Sequence, residues 1–161
     1  MRIISFGEIL WDVFGDERRI GGAPFNFAAH AAKLGVESYL VSCVGSDDDG
    51  KKALEECTRL GIKKDLISVG RRYPTGRCEV TLNGSIPHYD IIANTAYDHI
   101  LRIIPGKSFD ALYMGTLAMR SPDSRRAFDH LLKSVPHTET FFYVNFRGNF
   151  YSKELVFSLL R

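Results

Sequence analysis

No apolar run in this 161-residue chain approaches the ~20 residues of a helical membrane span. The start, Met1-Arg2 followed by a short strand-like run, lacks the apolar stretch of a signal peptide. Neither sign of charge is in excess: 21 Lys and Arg stand against 19 Asp and Glu, net +2, and the basic residues are scattered. A nucleic-acid partner is therefore not expected, nor a membrane one. Cysteine is scarce. Cys43, Cys57 and Cys78 form no Cys-x-x-Cys pair, which excludes a disulfide framework and a thiolate zinc site. They read as reduced, buried thiols of a cytoplasmic protein. The five histidines show no metal-ligand spacing, so no metal site is expected.

Several catalytic signatures are also missing. There is no Gly-x-Ser-x-Gly turn for a serine nucleophile. No Gly-x-Gly-x-x-Gly follows the first strand-like run, which argues against dinucleotide binding. Gly106-Lys107-Ser108 imitates the end of a P-loop, but Leu101 stands where the first glycine is required. The sequence offers no evident place for ATP.

What remains is an ordinary globular composition, 45% hydrophobic and 25% charged, long enough for one domain with a real core. Apolar runs at Ile3–Phe6, Tyr39–Val44, Phe109–Met114 and Thr140–Asn145 read as strands. Helical patterns at Pro24–Leu34, from the Ser46–Asp49 cap to about Leu60, from Ser121-Pro122 to about Lys133, and from Ser152 to Arg161 separate them. Such alternation predicts an α/β fold, a mostly parallel sheet with helices on both faces. Two segments depart from it. Residues 10–20 carry a hairpin signal at Gly15-Asp16, and residues 75–93 carry another at Asn83-Gly84, so a small separate sheet is expected.

The most informative run is Gly21-Gly22-Ala23-Pro24-Phe25-Asn26-Phe27-Ala28. Its glycines admit a ligand close to the backbone. Pro24 suits a first helical position, where backbone N–H groups are unpaired and point outward. Asn26 adds an amide donor and acceptor one turn in. Asp12 offers a carboxylate that can accept two hydroxyls of a polyol at once.

With Gly35 and Gly45 at their set distances, this run resembles the first signature of the ribokinase-like (PfkB) carbohydrate kinases. Gly7-Glu8 with Asp12 is closer to the fructokinase branch. The resemblance implies a ribokinase-like, Rossmann-like core with a β-lid at about residues 10–20 and 75–93. It implies that Asp12, Gly21, Gly22 and Asn26 bind the sugar and that Arg147 contacts phosphate or the far side of the sugar. Glu8 and Asn145 are secondary candidates. In the stretch 143–147 the family often has Asp-x-Asn-x-Arg, whereas this chain has Tyr143 with Asn145 and Arg147.

Each residue also has a plainer reading: an exposed hairpin Asp12, a turn at Gly22, a first-turn cap at Asn26, a surface Arg147. Asp47 reads chiefly as a helix cap. Arg77, Glu79, His88 and Tyr89 could line the lid or simply face solvent.

The family's second signature, which supplies the catalytic base and an anion hole for phosphate, has no match here. The expectation is the N-terminal portion of an ATP- and Mg²⁺-dependent sugar kinase. It holds the sugar-binding half, lacks the catalytic base (expected beyond residue 161) and binds neither cofactor well. Little turnover is expected from the chain alone, and self-association through the lid or an exposed sheet edge is expected. A non-catalytic sugar-binding module and a nucleoside kinase fragment are the alternatives.

Overall fold

The computed structural model describes residues 1–83, 86–146 and 150–160. Five strands form the main sheet: β1 (Arg2–Phe6), β4 (Glu37–Gly45), β5 (Ile67–Gly70), β8 (Phe109–Gly115) and β9 (His137–Tyr143). Their spatial order is β5-β4-β1-β8-β9, and every neighbouring pair is parallel. The central strands are buried almost without interruption, as strands covered on both faces must be.

Four helices provide that cover: α1 (Ala23–Lys33), α2 (Asp48–Arg59), α3 (Pro122–Ser134) and α4 (Lys153–Leu159). Alternation along β4 separates the two cores. Tyr39, Val41 and Cys43 join Phe6, Met114 and the α3 residues Phe128 and Leu131. Leu40 and Val44 join Phe25 and Ala28 of α1 and Ala53 and Cys57 of α2. The expected α/β arrangement, with helices on both faces, is the observed one.

The smaller sheet has the order β3-β2-β6-β7, built from β2 (Leu10–Phe14), β3 (Glu17–Gly21), β6 (Gly76–Asn83) and β7 (Ile86–Ile91). Its two hairpins, β2–β3 and β6–β7, meet through a parallel pairing of β2 with β6. The sheet is thus mixed, a feature that hairpin signals alone do not disclose. Trp11 Nε1 donates to the Asp49 carbonyl at 3.0 Å and Arg18 pairs with Asp49 at 2.7 Å, which docks the hairpin on the start of α2.

Helix ends follow the local chemistry. Gly35, at φ 81°, lies just beyond α1. Its N–H donates to the Ala32 carbonyl and that of Val36 to the Ala31 carbonyl, a Schellman stop that a β-carbon would strain. Asp47 caps α2 by accepting from the Gly50 N–H at 2.8 Å.

Two elements have bounds other than expected and three short elements are unexpected. β9 starts at His137 and ends at Tyr143, so Asn145 lies beyond the strand. The last helix ends at Leu159, and Arg161 lies outside the described residues. Strand β5 has only four residues at the sheet edge, too short for a periodic signal. Short 3-10 turns at Ala96–His99 and Ala118–Arg120 replace what the sequence leaves as loop.

Asp47 does more than cap. Oδ2 accepts from the Thr75 N–H at 2.8 Å and Oδ1 from the Thr75 hydroxyl at 2.5 Å, while Thr75 Oγ1 accepts from the Gly45 N–H. The carboxylate therefore fastens the entry of β6 to the end of β4. Asp47→Ala should lower the unfolding free energy by about 2 kcal/mol, a lost cap plus polar groups left unpaired at the nearly buried Thr75. Urea titration checks this, and a change near zero would refute the assigned role.

Candidate functional site

The carboxyl ends of β1, β8 and β9 open onto the smaller sheet, and a cleft of about 240 Å³ lies between them. Ligands of open α/β sheets bind at such strand ends. Glu8, just past β1, lines the cleft, as does Asp12 in the middle of β2. Gly22 and Ala23 reach it at the β3–α1 junction, Asn26 from the first turn of α1, and Asn145 from the segment after β9. Tyr89 and Ile91 of β7, Cys78 of β6 and Leu117 after β8 add an apolar side. Asp12, Gly22, Asn26, Glu8 and Asn145, named from sequence, thus come together around one cavity.

Gly21 is buried and stands behind Asp12 instead of in the cleft wall. A β-carbon there would lie 2.6 Å from Asp12 Oδ2, so its glycine makes room for that carboxylate. Arg147 lies outside the described residues. Asn145 is positioned by Thr116: its N–H donates to Thr116 Oγ1 at 2.9 Å and its carbonyl accepts from the same hydroxyl at 3.0 Å.

The sequence reading leaves the facing of the β6–β7 hairpin open. The structure turns Cys78, Tyr89 and Ile91 to the cleft. Arg77 and Glu79 instead pair with each other at 2.5 Å. Leu10 and Leu117 are cleft residues that the sequence does not single out, because an apolar side chain in a strand or turn looks the same in a core as in a ligand wall, and Tyr143, named there only as a departure from the family pattern, lines the cleft too.

The α1 start departs from expectation in one respect. The Ala23 N–H is not left for a ligand. The Ala23 N–H donates to Glu8 Oε1 at 3.2 Å, Pro24 has none, and the Asn26 N–H returns to the Gly22 carbonyl at 2.8 Å. Gly22 takes φ 110°, where a β-carbon would run into the Glu8 carbonyl oxygen and lie 3.1 Å from its Cγ. Glu8 and the Gly22-Ala23 turn are therefore packed as one unit.

Glu8 is 1% exposed, and its Oε2 has no hydrogen-bond partner among the described residues. Burial pushes its carboxyl up to about 7 from an ordinary 4.5, opposed by its own backbone N–H, that of Ala23 and the charge of Arg120, and abetted by Asp98. Arg120 and Asp98 form a buried ion pair at 2.7 Å, with Arg120 also donating to the Tyr97 hydroxyl and the Ile92 carbonyl.

A larger cavity, about 720 Å³, lies beside Arg120 and is bounded by Asp98, His99, Asp123 and Phe150. Its acidic side chains are paired, Asp98 with Arg120 and Asp123 with His99 at 2.6 Å, while Arg125 donates to the Met119 carbonyl and Arg120 Nη1 has no partner among the described residues. The smaller cleft lies at the strand ends and gathers Glu8, Asp12, Asn26 and Asn145, which makes it the better ligand site. Among the described residues, no three His, Cys, Asp or Glu side chains converge to hold a metal ion, so Mg²⁺ is assigned no position.

Glu8 should shape stability with a definite sign. Its folded value exceeds the unfolded one, so the folded chain retains a proton that the unfolded chain releases. The contribution is complete below about pH 4.5 and is lost as pH rises through about 7. The loss is on the order of 3 kcal/mol, and Glu8→Gln should remove it. Denaturant titrations from pH 4.5 to 8 check this; identical slopes in both proteins would contradict it.

Comparison with known proteins agrees with this geometry. The model of the pfkB family carbohydrate kinases matches residues 3–160. A sugar kinase from Pyrococcus horikoshii, PH1459, is 34% identical over 106 residues, 59% of this chain and 34% of that protein. Its crystal structure, described as that of an uncharacterized sugar kinase, superposes with TM-score 0.83 at 26% identity, covering 99% of this chain and 59% of that one. Fructokinase from Vibrio cholerae O395 has the same fold, with TM-score 0.85 at 18% identity over 99% of this chain and 60% of that chain. The chain thus spans about three fifths of the length of these solved structures. Its family match runs nearly end to end, through the Gly21–Ala28 run and the cleft-lining residues alike, and the chain belongs to the pfkB family of carbohydrate kinases.

Proposed function

We propose that this chain carries the sugar-binding site of an ATP-dependent hexose kinase of the fructokinase type. One observation carries the reading: Asp12, Asn26, Glu8 and Asn145, from four separate segments, meet in a single cleft at the strand ends. An ionised Asp12 accepts two hydroxyls, and the Asn26 amide both donates and accepts, which suits vicinal hydroxyls of a sugar. The glycine at 22 lets the turn into α1 pack directly against Glu8 at the cleft wall. Tyr89, Ile91 and Leu117 supply an apolar wall against which the carbon face of a sugar ring can lie.

The family supports phosphoryl transfer as the reaction, and the Pyrococcus horikoshii sugar kinase, 25% identical, has been crystallised in complex with ATP. In our reading ATP, Mg²⁺ and the catalytic base depend on the part of the fold that these 161 residues do not align with. The chain's own residues bind and orient the sugar and shield it from water. Three buried free thiols suit a reducing, cytoplasmic setting.

Isothermal titration calorimetry with D-fructose tests the reading. The 161-residue chain should bind the sugar, and Asp12→Ala should weaken binding at least about tenfold, the effect of removing a charged hydrogen-bond acceptor. With ATP and Mg²⁺ added, no sugar-dependent ADP release is expected. Failure of the parent chain to bind any hexose or nucleoside would refute the sugar site. Sugar-dependent turnover would refute the assignment of catalysis to residues outside this chain.

The proposal extends to a second copy of the chain as partner. The outer edge of β9 has no strand partner among the described residues, and Phe141, Tyr143 and Phe146 beside it are 50%, 47% and 61% exposed. An open edge flanked by exposed aromatics favours strand-to-strand pairing. Sedimentation velocity should show concentration-dependent dimers that Phe141→Lys weakens. A monomer at all concentrations would exclude self-association.

A further inference from the structure

Glu8 is the one acidic side chain of the cleft that is almost wholly removed from solvent, at 1% exposure. Its two oxygens are used unequally. Oε1 accepts from the Ala23 N–H at 3.2 Å and so holds the start of α1. Oε2 has no protein partner among the described residues. The residue nonetheless lines the same cleft as Asp12, Asn26 and Asn145.

A buried carboxyl oxygen without a hydrogen bond is unfavourable, and a group that supplies one gains what the free protein lacks. The charged groups acting on Glu8 are known. Arg120 draws on it from the turn after β8, and Asp98 repels it from the turn at Ala96–His99. Both are committed to each other at 2.7 Å. Tyr97 and Tyr113 lie within its electrostatic reach, yet neither donates to Oε2. Arg120 Nη1 is likewise buried without a partner among the described residues, and a neutral hydroxyl arriving through the cleft that Glu8 lines can supply the bond that Oε2 lacks.

We propose that Glu8 Oε2 is a sugar-specificity contact, hydrogen-bonded to one hydroxyl of the bound sugar at the floor of the cleft. This rests on the sugar-site reading above. The contact is compatible with either state of the carboxyl: an ionised Oε2 accepts from the hydroxyl, and a protonated one donates to it. Through Oε1 the same side chain fixes the Gly22-Ala23 turn, so a seated hydroxyl and the α1 start are held by one residue. Asp12, on the smaller sheet, and Glu8, just past the end of β1, then grip the sugar from two sides.

The test is calorimetric binding of D-fructose and its monodeoxy analogues to the parent chain, Glu8→Gln, Glu8→Ala and Asp12→Ala. One deoxy analogue should bind the parent chain about tenfold more weakly than fructose, the worth of one hydrogen bond to a charged group. Against Glu8→Ala, fructose and that analogue should bind equally. Glu8→Gln keeps an oxygen for the Ala23 N–H, and its thermal unfolding verifies that the fold survives. A uniform loss over all sugars in both Glu8 variants, or an unchanged analogue pattern, would overturn the contact and leave Glu8 as a support for α1 or the holder of a buried water. If Asp12→Ala abolishes binding while the Glu8 variants behave as the parent, only the Glu8 contact fails. If the parent chain binds no sugar, the site reading fails and the contact with it.

Discussion

One carboxyl group, Glu8, sits out of water where the first strand of the main sheet gives way to the smaller sheet. Its position is forced by the chain on both sides. β1 runs through the centre of the parallel sheet and ends at Phe6, so the residues after it emerge at the strand-end surface. β3 returns the chain to the same point at Gly21, and Gly22 must turn immediately into α1. The turn fits only because Gly22 has no β-carbon to strike Glu8. Ala23 then donates its N–H to Glu8 Oε1, and the helix begins with a buried acidic residue at its positive end. Loss of water opposes the charge, while the helix N-terminus and Arg120 favour it. These influences leave the carboxyl poised near neutrality, not fixed in one state.

Around that point the two sheets share apolar cores, Leu10, Cys78, Val80 and Ile91 packing with Phe6 and Met114 on one side and Trp11 and Val13 with Leu40 and Val44 on the other, and polar fasteners add to them. Asp47 ties Thr75, and through it the start of β6, to the end of β4. Trp11 and Arg18 tie the β2–β3 hairpin to Asp49 of α2. Arg120 ties the segment after β7 to the turn after β8 through Ile92, Tyr97 and Asp98. These contacts set the distance between the sheets, and so the width of the cleft. Hydrogen bonds with defined angles suit that task better than apolar contacts, which tolerate sliding.

The fold is largely legible in the sequence, because its strands and helices carry strong local signals. The continuous apolar runs of β1 and β4, the Schellman stop at Gly35 and the cap at Asp47 are each set by neighbouring residues. Short β5 is set by its tertiary pairing with β4, whereas the turn at Ala96–His99 carries a local Thr95–Asp98 cap that apolar periodicity does not display. The site is legible where residue type and local chemistry coincide, as at Asp12, Gly22 and Asn26. It is not legible where roles are exchanged between distant segments. Gly21 is small for the sake of Asp12, and the helix N–H at Ala23 serves Glu8 instead of a ligand. The second sheet's parallel β2–β6 pairing decides which residues of β6 face the cleft, and those strands lie more than sixty residues apart.

The orientation of Asp12 shows how the core dictates the site. Strand β2 alternates, with Trp11 and Val13 buried beside α1 and α2. Trp11 is further pinned by its indole N–H on the Asp49 carbonyl. Asp12 must then point to the opposite face of the strand, which is the cleft. Pairing on both sides, with Arg19 of β3 and Cys78 of β6, prevents rotation of the backbone. Gly21, diagonal to it across β3, leaves the space the carboxylate occupies. A slip of one residue would send Trp11 into the cleft and Asp12 into the core, exposing a large apolar surface and burying a charge. The apolar packing of β2 against the two helices therefore holds the cleft-facing carboxylate in place, although Trp11 and Val13 themselves do not line the cleft.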